Sequence, residues 1–164
     1  RRQMAATGML RSAAMSGNGE ETILAATSVL ADAKVAPEQE SEARYYRSKA
    51  LVEASQLSHA VADWEVLAKD TRNVYGAEAK YRLAQYLFDA GKTKEAEQEV
   101  LNYLEVSTPH AYWLARSFVL LSDIYAKLDR KLEARQYLLS LKQNYQADDD
   151  IAGMIESRLE NLKE

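Results

Sequence analysis

A helical pattern is interrupted four times along this chain, at Gly17, Ser55, Gly91 and Asp129, and the interruptions lie 38, 36 and 38 residues apart. Side-chain size recurs in register around them. Five residues past each break stands a small side chain, Thr22, Ala60, Ala96 and Ala134. Nine past come Ala26, Trp64, Val100 and Leu138, and twelve past come Val29, Leu67, Tyr103 and Leu141. On the near side, Ala13, Leu51, Leu87 and Tyr125 precede the breaks by four residues, and Leu10, Ser48, Ala84 and Ser122 by seven. A period in this range, built of helix, short turn and helix, constrains the fold strongly. One helix pair cannot bury its apolar face alone, so successive pairs must stack into a solenoid with a shared core.

The pattern predicts helices near 2–15, 19–33, 38–54, 57–69, 74–90, 93–105, 109–128, 131–145 and 150–162. Thr108-Pro109 places a capping hydroxyl ahead of a proline suited to a first helical position, so the seventh helix is expected to begin there. Asp148, Asp149 and Asp150 precede the apolar positions Ile151, Met154, Ile155 and Leu159 and are expected to cap the last helix. No ligand loop with a closing glutamate follows them, which argues against calcium.

Composition agrees with an all-helical chain. The 164 residues include only two prolines and six glycines, and the stock of Ala, Leu, Glu, Lys, Gln and Arg favours helix. The net charge of −4 provides no basic excess for nucleic acid or an anionic membrane. There is no cysteine, which excludes disulfides and thiolate metal sites. No apolar run approaches the roughly 20 residues that span a bilayer. The chain opens on Arg1-Arg2-Gln3 inside what already reads as helix, so it is expected to be a piece of a longer protein.

Chemistry is sparsely represented. Gly91-Lys92-Thr93 matches the end of a phosphate-binding loop, but the glycine required five residues earlier is Tyr86, and the preceding residues have helical rather than strand spacing. The three residues read as a helix end and the start of the next helix. His59 and His110, the only histidines, sit on different repeats, where zinc would want three or four ligands. No nucleophile elbow and no cysteine nucleophile occur. No catalytic residue, metal site or cofactor is expected, nor a nucleic-acid or small-molecule partner.

These columns resemble the tetratricopeptide repeat, a pattern of small, aromatic and glycine positions followed by alanine, aromatic and alanine. The third copy, AKYRLAQYLFDAGKTKEAEQEVLNYL, carries it best. The resemblance implies an all-α, right-handed superhelix of about four helix pairs plus a C-terminal capping helix, forming a single domain over 1–164. The repeats fall near 2–34, 38–70, 74–106 and 109–146, with the cap at 149–163. Two departures stand out: the bulky residue expected early in the first helix is Arg44 in the second copy and Lys80 in the third. The proline that usually closes a repeat occurs only as Pro37. TRNVYGAEAKYRLAQ and TPHAYWLARSFVLLSDIYA also resemble repeat proteins of the Gram-negative cell envelope, which implies that compartment.

The family resemblance further implies a protein–protein interaction module whose first helices line a concave groove. Tyr81, Gln85 and Phe88, separated by four and three residues, form one stripe along their helix, and Tyr45 and Lys49 form the equivalent stripe one repeat earlier. With Arg116 they are the expected contacts for a protein or peptide partner, and Asp123 lies on the same face. Leu83 and Leu87, offset from the stripe, are expected to face the core. Chaperone-binding members clamp a terminal carboxylate with asparagines on this face; those places here read Arg11, Lys49, Gln85 and Asp123, which departs from the clamp.

Overall fold

The computed structural model describes residues 2–106 and 108–163, with side chains from residue 4 onward. Among these residues there are nine α-helices and no strand. They are α1 (Arg2–Met15), α2 (Gly19–Ala31), α3 (Pro37–Glu53), α4 (Leu57–Leu67), α5 (Val74–Asp89), α6 (Thr93–Glu105), α7 (Ala111–Lys127), α8 (Lys131–Asn144) and α9 (Ile151–Asn161). No helix among the described residues is long and apolar enough to cross a membrane. The chain divides into two compact units, Arg1–Ala79 and Lys80–Glu164.

The four sequence breaks share one backbone device. Gly17, Ser55, Gly91 and Asp129 have φ of 75°, 60°, 80° and 59°, in the left-handed region. Each closes its helix with the same pair of hydrogen bonds. At Gly91 its own N–H donates to the Phe88 carbonyl at 3.0 Å, and the Lys92 N–H reaches back to the Leu87 carbonyl at 2.9 Å. Equivalent pairs surround Gly17, Ser55 and Asp129. Two orphan carbonyls of each helix end are thereby satisfied, and the chain reverses within a few residues. Gly91-Lys92-Thr93 is such a turn, entered from helix α5.

Helix starts use varied chemistry. Asn18 caps α2 by accepting the Glu21 N–H at 3.1 Å, and Pro37 opens α3 at its first position, where a missing N–H costs nothing. Helix α7 begins at Ala111, two residues later than the Thr108-Pro109 signal predicts. The Thr108 hydroxyl accepts the His110 N–H at 3.2 Å instead, a local turn that uses up the cap before the helix starts. At α9, Asp149 accepts the Ile151 N–H at 2.9 Å, while Asp150 takes the Tyr112 hydroxyl. Gly76 permits the chain to pass from α4 into α5, because a Cβ there would sit 1.9 Å from the Asp70 carbonyl oxygen.

The small column lies where paired helices meet: Ala60, Ala96 and Ala134 are wholly buried and Thr22 nearly so. In the first unit Leu10, Ala26 and Val29 pack with Ala43 of α3, so the first pair and the next share a core. In the second unit Tyr81, Ala84, Ala96, Val100, Leu121 and Ile124 belong to one cluster. A second cluster joins Val119, Leu138 and Leu141 to Ile151 and Ile155 of α9, which covers the end of the stack.

The two departures at Arg44 and Lys80 are compensated within their own repeats. The position eleven residues before each break faces the one eight residues after it. In the second repeat this pair is Arg44 and Asp63, at 3.1 Å. In the third it is Lys80 and Glu99, at 2.6 Å. In the fourth it is Phe118 and Tyr137, with ring centroids 6.0 Å apart. Asp63 is almost fully buried and also receives two hydrogen bonds from Arg47, at 2.7 and 2.8 Å.

A side chain with a Cβ costs roughly 1–2 kcal/mol in the left-handed region. Ser55→Gly is therefore expected to stabilise the protein, by about 0.5–1 kcal/mol once glycine's larger folding entropy cost is deducted. Nothing lies within 4 Å of a Cβ built on Gly91, so Gly91→Ala should lower stability by about 1 kcal/mol through backbone conformation alone. Urea titration of both variants measures the two signs.

Candidate functional site

The expected contact residues sit on α3, α5 and α7: Tyr45 and Lys49 in the unit Arg1–Ala79, and Tyr81, Gln85, Phe88 and Arg116 in the unit Lys80–Glu164. In the unit Arg1–Ala79, Tyr45 of α3 is half-buried. Its ring stacks on Tyr75 at 4.4 Å between centroids and meets Tyr46 edge-on at 5.5 Å. The Lys49 ammonium lies one turn along, 5.3 Å from the Tyr45 centroid, and is exposed. Lys49 also borders a cleft of about 150 Å³ with Tyr46 and Glu53. A cation presented beside stacked aromatic rings suits carboxylate or carbonyl groups of a peptide. On the neighbouring helix, Arg11 is paired with Glu42 through two hydrogen bonds.

In the unit Lys80–Glu164, a cleft of about 120 Å³ is lined by Tyr81 and Gln85 of α5, Arg116 and Asp123 of α7, and Met154 and Arg158 of α9. Arg116 is at its centre. It donates to the Tyr112 hydroxyl at 3.0 Å and to the Tyr81 hydroxyl at 2.9 Å. Those hydroxyls pass their own protons on, Tyr112 to Asp150 at 2.9 Å and Tyr81 to Gln85 at 3.0 Å, and Gln85 donates in turn to Asp89 at 2.8 Å. The guanidinium also lies 4.8 Å from the Tyr81 ring centroid and 5.8 Å from that of Trp113. Burial pulls the Arg116 pKa down, but the hydrogen bonds it donates to Tyr112 and Tyr81, with the electrostatic effect of both phenols, outweigh it and leave it raised above the ordinary arginine value. Burial raises the Tyr112 pKa, opposed by the bond from Arg116. Both groups keep their usual charge states at neutral pH. Beside them Arg158 forks onto Asp123, at 3.0 and 3.2 Å.

Tyr81 departs from the expected display. Its side chain is 4% exposed and belongs to the core cluster with Ala84. The ring packs inward while the hydroxyl alone reaches the cleft, as amphipathic side chains do. Phe88 is half-buried against the same cluster, as is Leu87, so the helix stripe read from spacing is partly core. Gln85, Arg116, Tyr45 and Lys49 keep polar or aromatic surface within reach of solvent. Residues the sequence did not single out complete the arrangement: Tyr75, Tyr112, Arg158, Arg47 and Asp63. Their partners lie 16 to 38 residues away in sequence, beyond any helical spacing rule.

Known structures share this fold. A crystal structure of nearly identical TPR-like repeats assigned to a kinesin light chain of Podosopora anserina superposes with a TM-score of 0.63, at 14% identity, over 98% of this chain and 85% of that one. A glutamine-to-methionine variant of those repeats gives 0.60 over 99% and 93%, also at 14% identity. The chain has a tetratricopeptide-like repeat fold. No protein-family model and no curated protein matches the sequence.

Because the Tyr81 hydroxyl is bonded on both sides inside the cleft, Tyr81→Phe should destabilise this tetratricopeptide-like chain by about 1–2 kcal/mol, the cost of a hydrogen bond to a charged group. Chemical denaturation measures it. A surface tyrosine would lose less than about 0.5 kcal/mol in the same exchange.

Proposed function

We propose that the chain is a non-catalytic protein–protein interaction module that presents Tyr45 and Lys49 in one unit, and Gln85 and Arg116 in the other, to a protein or peptide partner, with Tyr81 and Phe88 supporting the second of these surfaces from beneath. The observation that carries this reading is the Arg116 cleft. There, successive helices α5, α7 and α9 bring a guanidinium, an amide, a phenol hydroxyl and an ion pair to one recess. A guanidinium locked by two phenol oxygens loses little conformational entropy on contact, which favours recognition over mere solvation. In the other unit, exposed Lys49 beside the Tyr45–Tyr75 stack offers the same chemistry, a cation next to rings. The likeness of two stretches to repeat proteins of the Gram-negative cell envelope supports work in that compartment, within a single repeat domain.

A second reading, a spacer that joins other domains without using a groove, has its own support. Arg11 with Glu42 and Arg158 with Asp123 satisfy charges on the groove side inside the chain, leaving less for a partner.

Partner capture separates the two. Lys49→Ala combined with Arg116→Ala should weaken binding more than tenfold, about 1.4 kcal/mol, with helicity by circular dichroism retained. Lys94→Ala with Gln98→Ala, exposed or near-exposed on α6, should leave it unchanged. Equal capture by the first pair favours the spacer.

A further inference from the structure

A recess of about 470 Å³ opens where the start of α2 meets the end of α3, lined by Glu20, Ile23, Ala50, Glu53, Ala54 and Gln56. Its volume falls within the range of sites that hold a ligand or an anchoring side chain, roughly 300–1,000 Å³. Ala50 is buried and Ile23 half-buried at its base, while Glu20 and Glu53 are exposed at its rim. Neither carboxylate is held in an ion pair among the described residues. Lys49 lines the adjoining smaller cleft with Glu53, but not this recess.

The repeat register shows why the recess is open and what fills the same place elsewhere. Between α6 and α7, Ile124 stands where Ala50 does and is wholly buried, and Leu128 stands where Ala54 does and packs on the core. Arg130 takes the place of Gln56. Its guanidinium lies 4.4 Å from the Tyr125 ring centroid and pairs with Glu97, in the place of Ile23, at 3.5 Å. Gln56 is too short and uncharged for that role, and its Oε1 lies 3.3 Å from Nδ1 of His59 instead. The rim changes sign as well: Lys94 and Lys127 occupy the places of Glu20 and Glu53. One register therefore holds its own arginine under a basic rim, whereas the other lacks the arginine and the bulk and has an acidic rim.

We infer that this recess takes an arginine side chain from a segment of a protein partner, with the guanidinium at Glu20 and Glu53 and the stem over Ile23, Ala50 and Ala54. The charges are complementary, and the apolar base suits the methylene stem that arginine buries while its head stays with the carboxylates. Arginine suits the rim better than lysine, because its planar fork makes paired hydrogen bonds to carboxylates. Leu24, one helical turn beyond Glu20 and 66% exposed, offers an apolar contact to the residue beside that arginine. The surface uses none of the residues of the Arg116 cleft and does not depend on their use.

The probe is a capped hexapeptide with a central Leu-Arg pair between Gly and Ser residues. It is titrated into the isotope-labelled chain to roughly 5 mM, the range expected for one anchored side chain, while amide resonances are followed. The expected result is saturable shifts at Ile23, Glu53 and Ala54. Glu20→Gln combined with Glu53→Gln, both at exposed positions, should weaken binding more than tenfold. Ala54→Leu, which supplies the bulk of Leu128 and keeps both carboxylates, should do the same, whereas Arg116→Ala should leave it unchanged. Absence of saturable shifts, equal binding of a peptide with Gln in place of Arg, or undiminished binding by the Ala54→Leu variant overturns the assignment. Spermidine shifting the same amides as tightly as the peptide also overturns it, by giving the recess to a small polyamine.

Discussion

A residue held in the left-handed region, followed five positions later by a small side chain, is the constraint on which every repeat depends. The first sends the chain back along its own helix, and the second lets the returning helix come close. Gly91 with Ala96 shows the pair at its simplest: φ of 80° at the turn and complete burial at the contact. Ser55 and Asp129 adopt the same backbone despite their side chains, so the geometry is imposed by the packing on either side and not by glycine alone. Once two helices are set at that distance, their outer positions must be covered by the next pair, and the solenoid follows.

Beyond that contact the repeats tolerate different chemistry. The pairing that is aromatic in the fourth repeat, Phe118 with Tyr137, is ionic in the second and third. Asp63, with both Arg44 and Arg47 on one buried carboxylate, is the most committed of these. Removing one side of a buried pair strands a charge and is costly, whereas exchanging both sides is tolerated more easily. Divergent sequences can therefore keep one backbone, which fits a shared fold at 14% identity. The same economy shapes the Arg116 cleft, where Arg116, Tyr81 and Gln85 are tied up in internal bonds.

Much of the fold was legible in the residues, because the period is carried by side-chain size and each turn is punctuated. Ser55 and Asp129 could be recognised as turns only through their distance from Gly17 and Gly91. Boundaries slipped where a local bond competed, as at Thr108, whose hydroxyl serves the loop and not the helix. The candidate site was less legible. Spacing by four and three residues puts Tyr81, Gln85 and Phe88 on one stripe, but a helix has no labels for core and solvent. Tyr81 belongs to both, ring inside and hydroxyl outside. Arg158 and Tyr112 escaped notice because their partners, Asp123 and Asp150, are distant in sequence. Long-range polar pairing has no periodicity to reveal it.

The common register of the repeats can be tested by moving a pair between them. Replacing Lys80 and Glu99 by the residues that occupy the same places in the fourth repeat gives Lys80→Phe, Glu99→Tyr and the double variant. Urea denaturation of all three yields the coupling energy of the pair. The account predicts that each single change costs more than about 1 kcal/mol, and that the double variant returns to within about 0.5 kcal/mol of the parent protein. Losses that simply add in the double variant would contradict it.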